Sequence, residues 1–359
     1  MRRAEYNWPA DHTADTDTVV EMYAQGLRGC SYDEQDDEDF CQTVANGGGT
    51  VFAADVAHEH DFADSFKGKL VIPYVFLQRQ YPDIWPGPGQ QTGDCVSWSF
   101  ARALSITMSC DVVSGAVDEV SGKREQFPEA SDVAIQNCLV SSEVAYWHRG
   151  HGGSGWNIHS ASRAGMTVAG ATLRKNYPEI GLDLTTYSGK MAQKWGREKP
   201  PQEVIEVTND HLFRTATKIE GDEADKFAQV RDMLGKGFGI GSDGSEGWSR
   251  ERGSLPTRSG AVGHAVAKRQ NSWQHSMCLC GADDRPETHR EYGGPLVCII
   301  NSWGKFNRGP RDIPGTNFKT PEGGFWARWK DASRRRCVAF SGLNGWRRND
   351  LPDLTPGFE

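Results

Sequence analysis

QQTGDCVSWSFARAL, residues 90–104, sets two glutamines four and five residues ahead of a cysteine, and the cysteine directly ahead of an apolar run. Val96, Phe100, Leu104 and Met108 recur every fourth position, which predicts one face of a helix from Cys95 to about Cys110. The approach, YPDIWPGPGQQTGD (81–94), is turn chemistry throughout. Cys95 therefore opens a helix. In a first helical turn the dipole, helped by a nearby imidazole, lowers a thiol's pKa and favours the nucleophilic thiolate. The imidazole must come from elsewhere in the chain, and a third polar group must hold its ring.

Outward from this stretch, the pattern changes from helical to stranded. DTDTVVEMYAQGLRG (15–29), residues 131–150, HSASRAGM (159–166) and EADKFAQVRDMLGKG (223–237) read as helices, the last stopped by Gly235 or Gly237. KLVIPYVFL (69–77) reads as a short strand, and RGHGGSGWN (149–157) as a glycine loop. GFGIGS (237–242), HSMCLCGADD (275–284), GPLVCIINSWG (294–304) and GGFWARWKD (323–331) are short runs between glycine-rich loops, as in antiparallel sheet. His275 opens one such run and the next ends in Asn301, so a hairpin brings the two together. His264, in GHAVAKRQ, is the weaker candidate because Lys268, Arg269 and Gln270 follow where a buried strand is needed. Cys278 and Cys280 share one strand face and read as buried packing rather than metal ligands.

On these residues the chain resembles the papain-like cysteine peptidases: a glutamine and cysteine heading a helix, a histidine beginning a strand, and NSWG at 301–304, with GDCVSW (93–98) similar to the divergent form of bacterial and phage relatives. The resemblance implies that Cys95 is the nucleophile, His275 the general base and then acid, and Asn301 the residue orienting the imidazole. Gln90 or Gln91 supplies the oxyanion donor beside the Cys95 backbone N–H. Gly152, Gly153 and Trp303 are assigned to the substrate-binding side, Trp303 also shielding the His–Asn bond from water. Val96 rather than tryptophan follows the cysteine, and sliding the pattern by two positions puts Ser97 at the nucleophile with Gln91 at the usual spacing. Asp94 is expected to point to solvent, since a carboxylate turned inward would raise the thiol's pKa. The implied fold class is α+β, a papain-like two-lobed fold with an extra N-terminal segment. The divisions are 1–66 (acidic extension), 67–200 (helical lobe with the nucleophile), 201–345 (β-rich lobe with His275 and Asn301) and 346–359 (tail). No cofactor and no metal are expected.

Composition bounds what else the chain does. Residues 1–66 carry 15 Asp and Glu against Arg2, Arg3 and Arg28, a net −12 that leaves +4 for the remainder of a total of −8. That asymmetry suggests a separate acidic layer with a protein partner, or a merely solvated run. Overall acidity argues against nucleic acid as the main ligand. No stretch is long and apolar enough to span a membrane, and the opening residues lack the apolar core of a secretory signal, so a cytoplasmic or virion-associated location is expected. Nine cysteines without paired CxxC motifs read as reduced thiols with no native disulfide. HEHDFAD (58–64) reads as hydrated helix rather than a metal site, and the arginines at 334–336 as an exposed edge. A peptide or protein is the expected substrate. The competing functions are hydrolysis of cell-wall peptides by a phage or bacterial enzyme, and a structural or assembly protein, for example of a virion, that retains the fold.

Overall fold

The computed structural model describes residues 50–52, 64–81, 89–113, 117–118, 138–149, 155–167, 170, 172–209, 216–259, 263–340 and 346–347. The expected helix over 15–29, most of the acidic extension and of HEHDFAD, and Gly152 and Gly153 lie outside those residues. In chain order the strands are β1 (Thr50–Phe52), β2 (Leu70–Val71), β3 (Val117–Asp118), β4 (Asn176–Tyr177), β5 (Leu182–Asp183), β6 (Ala216–Ile219), β7 (Ile240–Trp248), β8 (Arg269–Asp283), β9 (Leu296–Ile300), β10 (Gly324–Arg328), β11 (Arg336–Phe340) and β12 (Trp346–Arg347).

Eight strands join one sheet in the order β1-β6-β11-β7-β8-β9-β10, with β2 added on the far end of β8. β1 runs parallel to β6 and the other pairs are antiparallel. Small pairs β3–β12 and β4–β5 stand apart. The architecture is mixed helix and mostly antiparallel sheet, compatible with α+β. β9, LVCII, is buried at every residue, as a strand covered on both faces must be.

The helix Cys95–Val113 sets the layout, and it departs from the single apolar face its sequence suggests. Every position from Cys95 to Asp111 is buried, including Ser97, Ser99, Arg102, Ser105 and Thr107. Ser97 apart, these polar groups survive there because they are bonded. Ser99 Oγ donates to the Met277 carbonyl at 2.8 Å, Thr107 Oγ1 to that of Phe340 at 2.8 Å, and Arg102 to that of Asn301. The helix is thereby stitched to β8, to β11 and to the end of β9. Gly239, just before β7, packs directly on the helix: a Cβ at that position would collide with the Ala103 carbonyl.

Other boundaries differ locally from the sequence reading. Residues 69–77 form the two-residue β2 and then, from Tyr74 to Gln80, a helix, because Pro73 fits a helix start. Within 131–150 the described residues form only the short helix Ser142–Ala145 and a 3-10 turn Tyr146–Arg149. The helices Ile158–Thr167 and Glu223–Gly235 lie where expected, the second capped by the Asp222 carboxylate on the Ala224 and Asp225 amides. β8 begins at Arg269, so His275 lies inside a strand rather than opening one. A main core fills the space around the sheet, and a smaller one gathers Val144, Tyr177, Leu182, Leu184, Trp195 and Val204.

If Gly239 is required by the helix–sheet approach, Gly239→Ala forces backbone to move on one side. The expected cost is about 1–3 kcal/mol, read as a lower urea midpoint at an unchanged m-value. Unchanged stability would show that the approach is looser than drawn.

Candidate active site

Cys95 is the first residue of its helix and wholly buried. The first helical bond runs from Trp98 N–H to the Asp94 carbonyl, 3.1 Å, so helical geometry begins immediately after Gly93-Asp94. Cys95 Sγ accepts the Ser276 backbone N–H at 3.4 Å, which fixes the sulfur against β8 at the residue after His275.

His275 reaches Asn301 through strand register. β8 and β9 pair antiparallel with Cys278 opposite Ile300, so the residue following β9 comes level with the stretch around His275. His275 Nε2 stands 2.9 Å from Asn301 Oδ1. An amide oxygen only accepts, so Nε2 carries the hydrogen. That bond leaves Nδ1 as the ring nitrogen for acid–base work. Trp303 lies nearly parallel to the imidazole, centroids 4.4 Å apart at 24°, and is backed by Trp273 at 5.1 Å and Phe306 at 5.0 Å. Trp303 is wholly buried, in the position that shields the His–Asn bond rather than one open to solvent.

The two glutamines diverge. Gln90 is buried against the NSWG turn: its N–H donates to the Ser302 carbonyl at 2.7 Å, its Oε1 accepts from Ser302 Oγ, and Nε2 donates to the Thr92 carbonyl at 2.7 Å. Gln91 turns the other way, its N–H on the Tyr187 hydroxyl at 3.2 Å and its Oε1 accepting the Gly189 N–H at 3.3 Å. Ser97 Oγ is buried with no hydrogen-bond partner, and it is Cys95 that meets β8.

Asp94 overturns the expectation that it faces solvent. Its carboxyl is wholly buried, with Oδ2 accepting from the Tyr187 hydroxyl at 3.0 Å. Burial pushes its pKa well above the usual carboxylate range, despite the Tyr187 bond, and Glu143 nearby adds to the rise. A shift in that direction favours the uncharged carboxyl, the form that does not oppose a thiolate at Cys95.

Sequence reasoning missed two cations. Arg335, taken for part of an exposed edge, is wholly buried and only Arg334 of that run is exposed. Arg335 Nη2 donates to the His275 carbonyl at 2.8 Å and the Ser242 carbonyl at 3.0 Å, while Nη1 pairs with Glu246 at 3.4 Å. Nothing in an arginine run announces which member turns inward. The signal was its place next to RCVAF, a strand whose neighbours are covered. Arg102, the second, bonds the Asn301 carbonyl from the helix. Burial, above all, pulls the His275 pKa down to about 3, against the Asn301 bond, with Arg335 and Arg102 adding to the fall. His264 is engaged elsewhere, on Asp283. Cys278 and Cys280 are buried as expected, and burial raises both thiols. Among the described residues no three His, Cys, Asp or Glu side chains converge as metal ligands would, and no helix is long and apolar enough to cross a membrane.

The depressed His275 has a stability consequence of definite sign. Its folded pKa, about 3, lies below its ordinary value of 6.5, so the unfolded chain takes up a proton first as pH falls. The contribution is intact above pH 6.5 and drains away toward pH 3, at up to about 1.4 kcal/mol per pH unit for one proton. His148, lowered to about 4 by burial, works in the same direction. His275→Gln should flatten the acid limb of the unfolding free energy against pH. An equally steep limb in the variant would assign the acid sensitivity to other groups.

No protein-family model and no curated protein matches the chain. Among solved structures it is similar to the cysteine protease and lectin-like domains of Cwp84, a surface layer associated protein of Clostridium difficile. The TM-score is 0.39 and the identity 12%, over 77% of this chain and 52% of that one, so the chain spans about half the length of that structure.

Proposed function

We propose that the chain is a papain-like cysteine hydrolase that cleaves amide bonds in a peptide or protein. In this reading residues 67–200 and 201–345 are its two lobes and the site lies between them. The observation that carries the proposal is the placing of three distant residues: Cys95 Sγ on the Ser276 amide, and His275 Nε2 on Asn301 Oδ1 under the Trp303 ring. His275 Nδ1 takes the Cys95 proton and the thiolate attacks the carbonyl. The oxyanion rests on Gln90 Nε2 and backbone N–H, and the imidazolium protonates the leaving amine. Water, activated by the same imidazole, then hydrolyses the thioester. Gln90 is taken for the oxyanion role because Ser302 anchors it beside the NSWG turn, its Nε2 also donating to the Thr92 carbonyl, whereas the bonds of Gln91 N–H and Oε1 hold that residue against Tyr187 and Gly189. Asn301 holds the ring, and Arg335 holds the strand that carries it.

One observation favours a second reading, a structural or assembly protein, for example of a virion, that keeps the fold without turnover. Both Cys95 and His275 are 0% exposed, so a substrate reaches them only after the structure opens. The acidic residues 1–66 then serve as a docking segment for a protein partner in an intracellular or virion setting.

Chemical labelling separates the two. With iodoacetamide at neutral pH, Cys95 is expected to modify first among the nine cysteines, and His275→Ala to slow it about tenfold for each unit by which the thiol pKa rises. Asn301→Ala should cost less, because it orients the ring without supplying charge, and Ser97→Ala should change little. Selective labelling with release of amine from a peptide library supports the hydrolase. Selective labelling without turnover supports the second reading, and a Cys95 rate indifferent to His275 removes the thiol–imidazole pair altogether.

A further inference from the structure

One hydroxyl bridges the chain on either side of the proposed oxyanion site. Tyr187 Oη accepts the Gln91 backbone N–H at 3.2 Å and donates to Asp94 Oδ2 at 3.0 Å. Gln91 directly follows Gln90, and Asp94 directly precedes Cys95. Each proposed oxyanion donor, Gln90 Nε2 and the Cys95 N–H, therefore lies one residue from a group that this hydroxyl holds. The remaining anchors of the approach are elsewhere: Gln90 N–H on the Ser302 carbonyl at 2.7 Å, and the Gly93 carbonyl accepting from the Tyr146 hydroxyl at 2.9 Å.

Tyr187 is itself fixed by groups that take no part in the thiol chemistry. Buried Glu143 accepts the Ser188 N–H on Oε1 at 2.9 Å and pairs through Oε2 with Arg174 at 2.8 Å, while Arg174 Nη1 donates to the Leu184 carbonyl at 3.1 Å. The backbone is thus held on both sides of Tyr187. Ser188 Oγ also accepts the Met191 N–H at 3.2 Å, capping the helix Gly189–Trp195. The Tyr187 ring leans on Trp98, in the first turn of the helix that Cys95 opens, with centroids 4.8 Å apart. Loss of the hydroxyl alone would take a bond from Gln91 N–H and from Asp94, at opposite ends of the stretch between the two oxyanion donors. Cys95 Sγ, His275 and Asn301 draw their bonds from β8 and from one another and would keep them.

We infer that Tyr187 is a positioning residue for the proposed hydrolysis, and this inference rests on that reading: its hydroxyl sets Gln90 and the Cys95 N–H at the spacing that receives an oxyanion, and it has no part in forming the thiolate. Two reagents separate those steps. In acetylation by 4-nitrophenyl acetate the sulfur bonds to the carbonyl carbon through an oxyanion, whose collapse expels 4-nitrophenolate and leaves an acetyl thioester. Alkylation by iodoacetamide displaces iodide directly and forms no oxyanion. In the full-length chain, with each adduct at Cys95 followed by peptide mass, Tyr187→Phe should slow acetylation about tenfold and leave the alkylation rate where it was. Phenylalanine keeps the ring on Trp98, so the fold should persist. Amide exchange at Gln91, slow in the wild type, should quicken in the variant. Both reactions slowed alike, both quickened as in a loosened fold, or a Gln91 amide that already exchanges freely in the wild type would each overturn the assignment. Rates at Cys95 that ignore His275→Ala would remove the hydrolase reading and the role of Tyr187 together, whereas His275-dependent rates whose ratio is the same in Tyr187→Phe would remove the role of Tyr187 alone.

Discussion

The antiparallel pairing of β8 with β9 is the constraint on which the rest depends. It sets Cys278 opposite Ile300, and with that one register His275 and Asn301 meet across 2.9 Å. A slip by one residue would turn His275 to the opposite face of the sheet and break the bond. The register is well defended. β9 is buried at every position, Ser276 Oγ donates to the Ser242 carbonyl at 3.0 Å, and Arg335 ties the His275 carbonyl to β7. The same strand carries the amide that fixes Cys95 Sγ, so the register also determines where the helix N-terminus must sit.

Charge is buried around this register in an ordered way. Arg335 is matched by Glu246, Arg231 by Asp232 and Asp284, Arg174 by Glu143, and Asp283 by Arg285 and His264. Breaking such a pair by removing one partner is far costlier than the pair's net worth, because the survivor is left uncompensated. Asp94 is handled differently: its buried carboxyl accepts from the Tyr187 hydroxyl, and burial raises its pKa well above the usual carboxylate range.

Much of the candidate site was legible because its signals are local. A cysteine after turn residues and before a four-residue apolar period marks a helix start wherever that helix packs. NSWG after a run of β-formers marks the end of a strand with an asparagine on it. The preference for His275 over His264 rests on Lys268, Arg269 and Gln270 following His264, yet Arg269 and Gln270 open β8, which does run on into a covered strand; His264 itself bonds Asp283. The start of β8 was misjudged by six residues because Arg269–Gln274 is largely polar and exposed, and its strand character comes from pairing with β7. Proline at position 73 likewise converted half of an apolar run from strand to helix, a choice that hydrophobicity alone does not make.

The sequence by itself determined that a thiol, an imidazole and an amide stand at a helix start, on a strand and at a strand end, because residue type and short-range period are local quantities. Only the tertiary structure decided that the helix is buried at every position from Cys95 to Asp111, that Asp94 faces inward with its pKa raised by burial, that Gln90 rather than Gln91 leans on the NSWG turn, and that Arg335 alone of three arginines holds the histidine strand. These outcomes depend on which distant groups share one low-dielectric volume. Desolvation and hydrogen-bond satisfaction there are properties of the packed neighbourhood, and the order of residues along the chain does not record them.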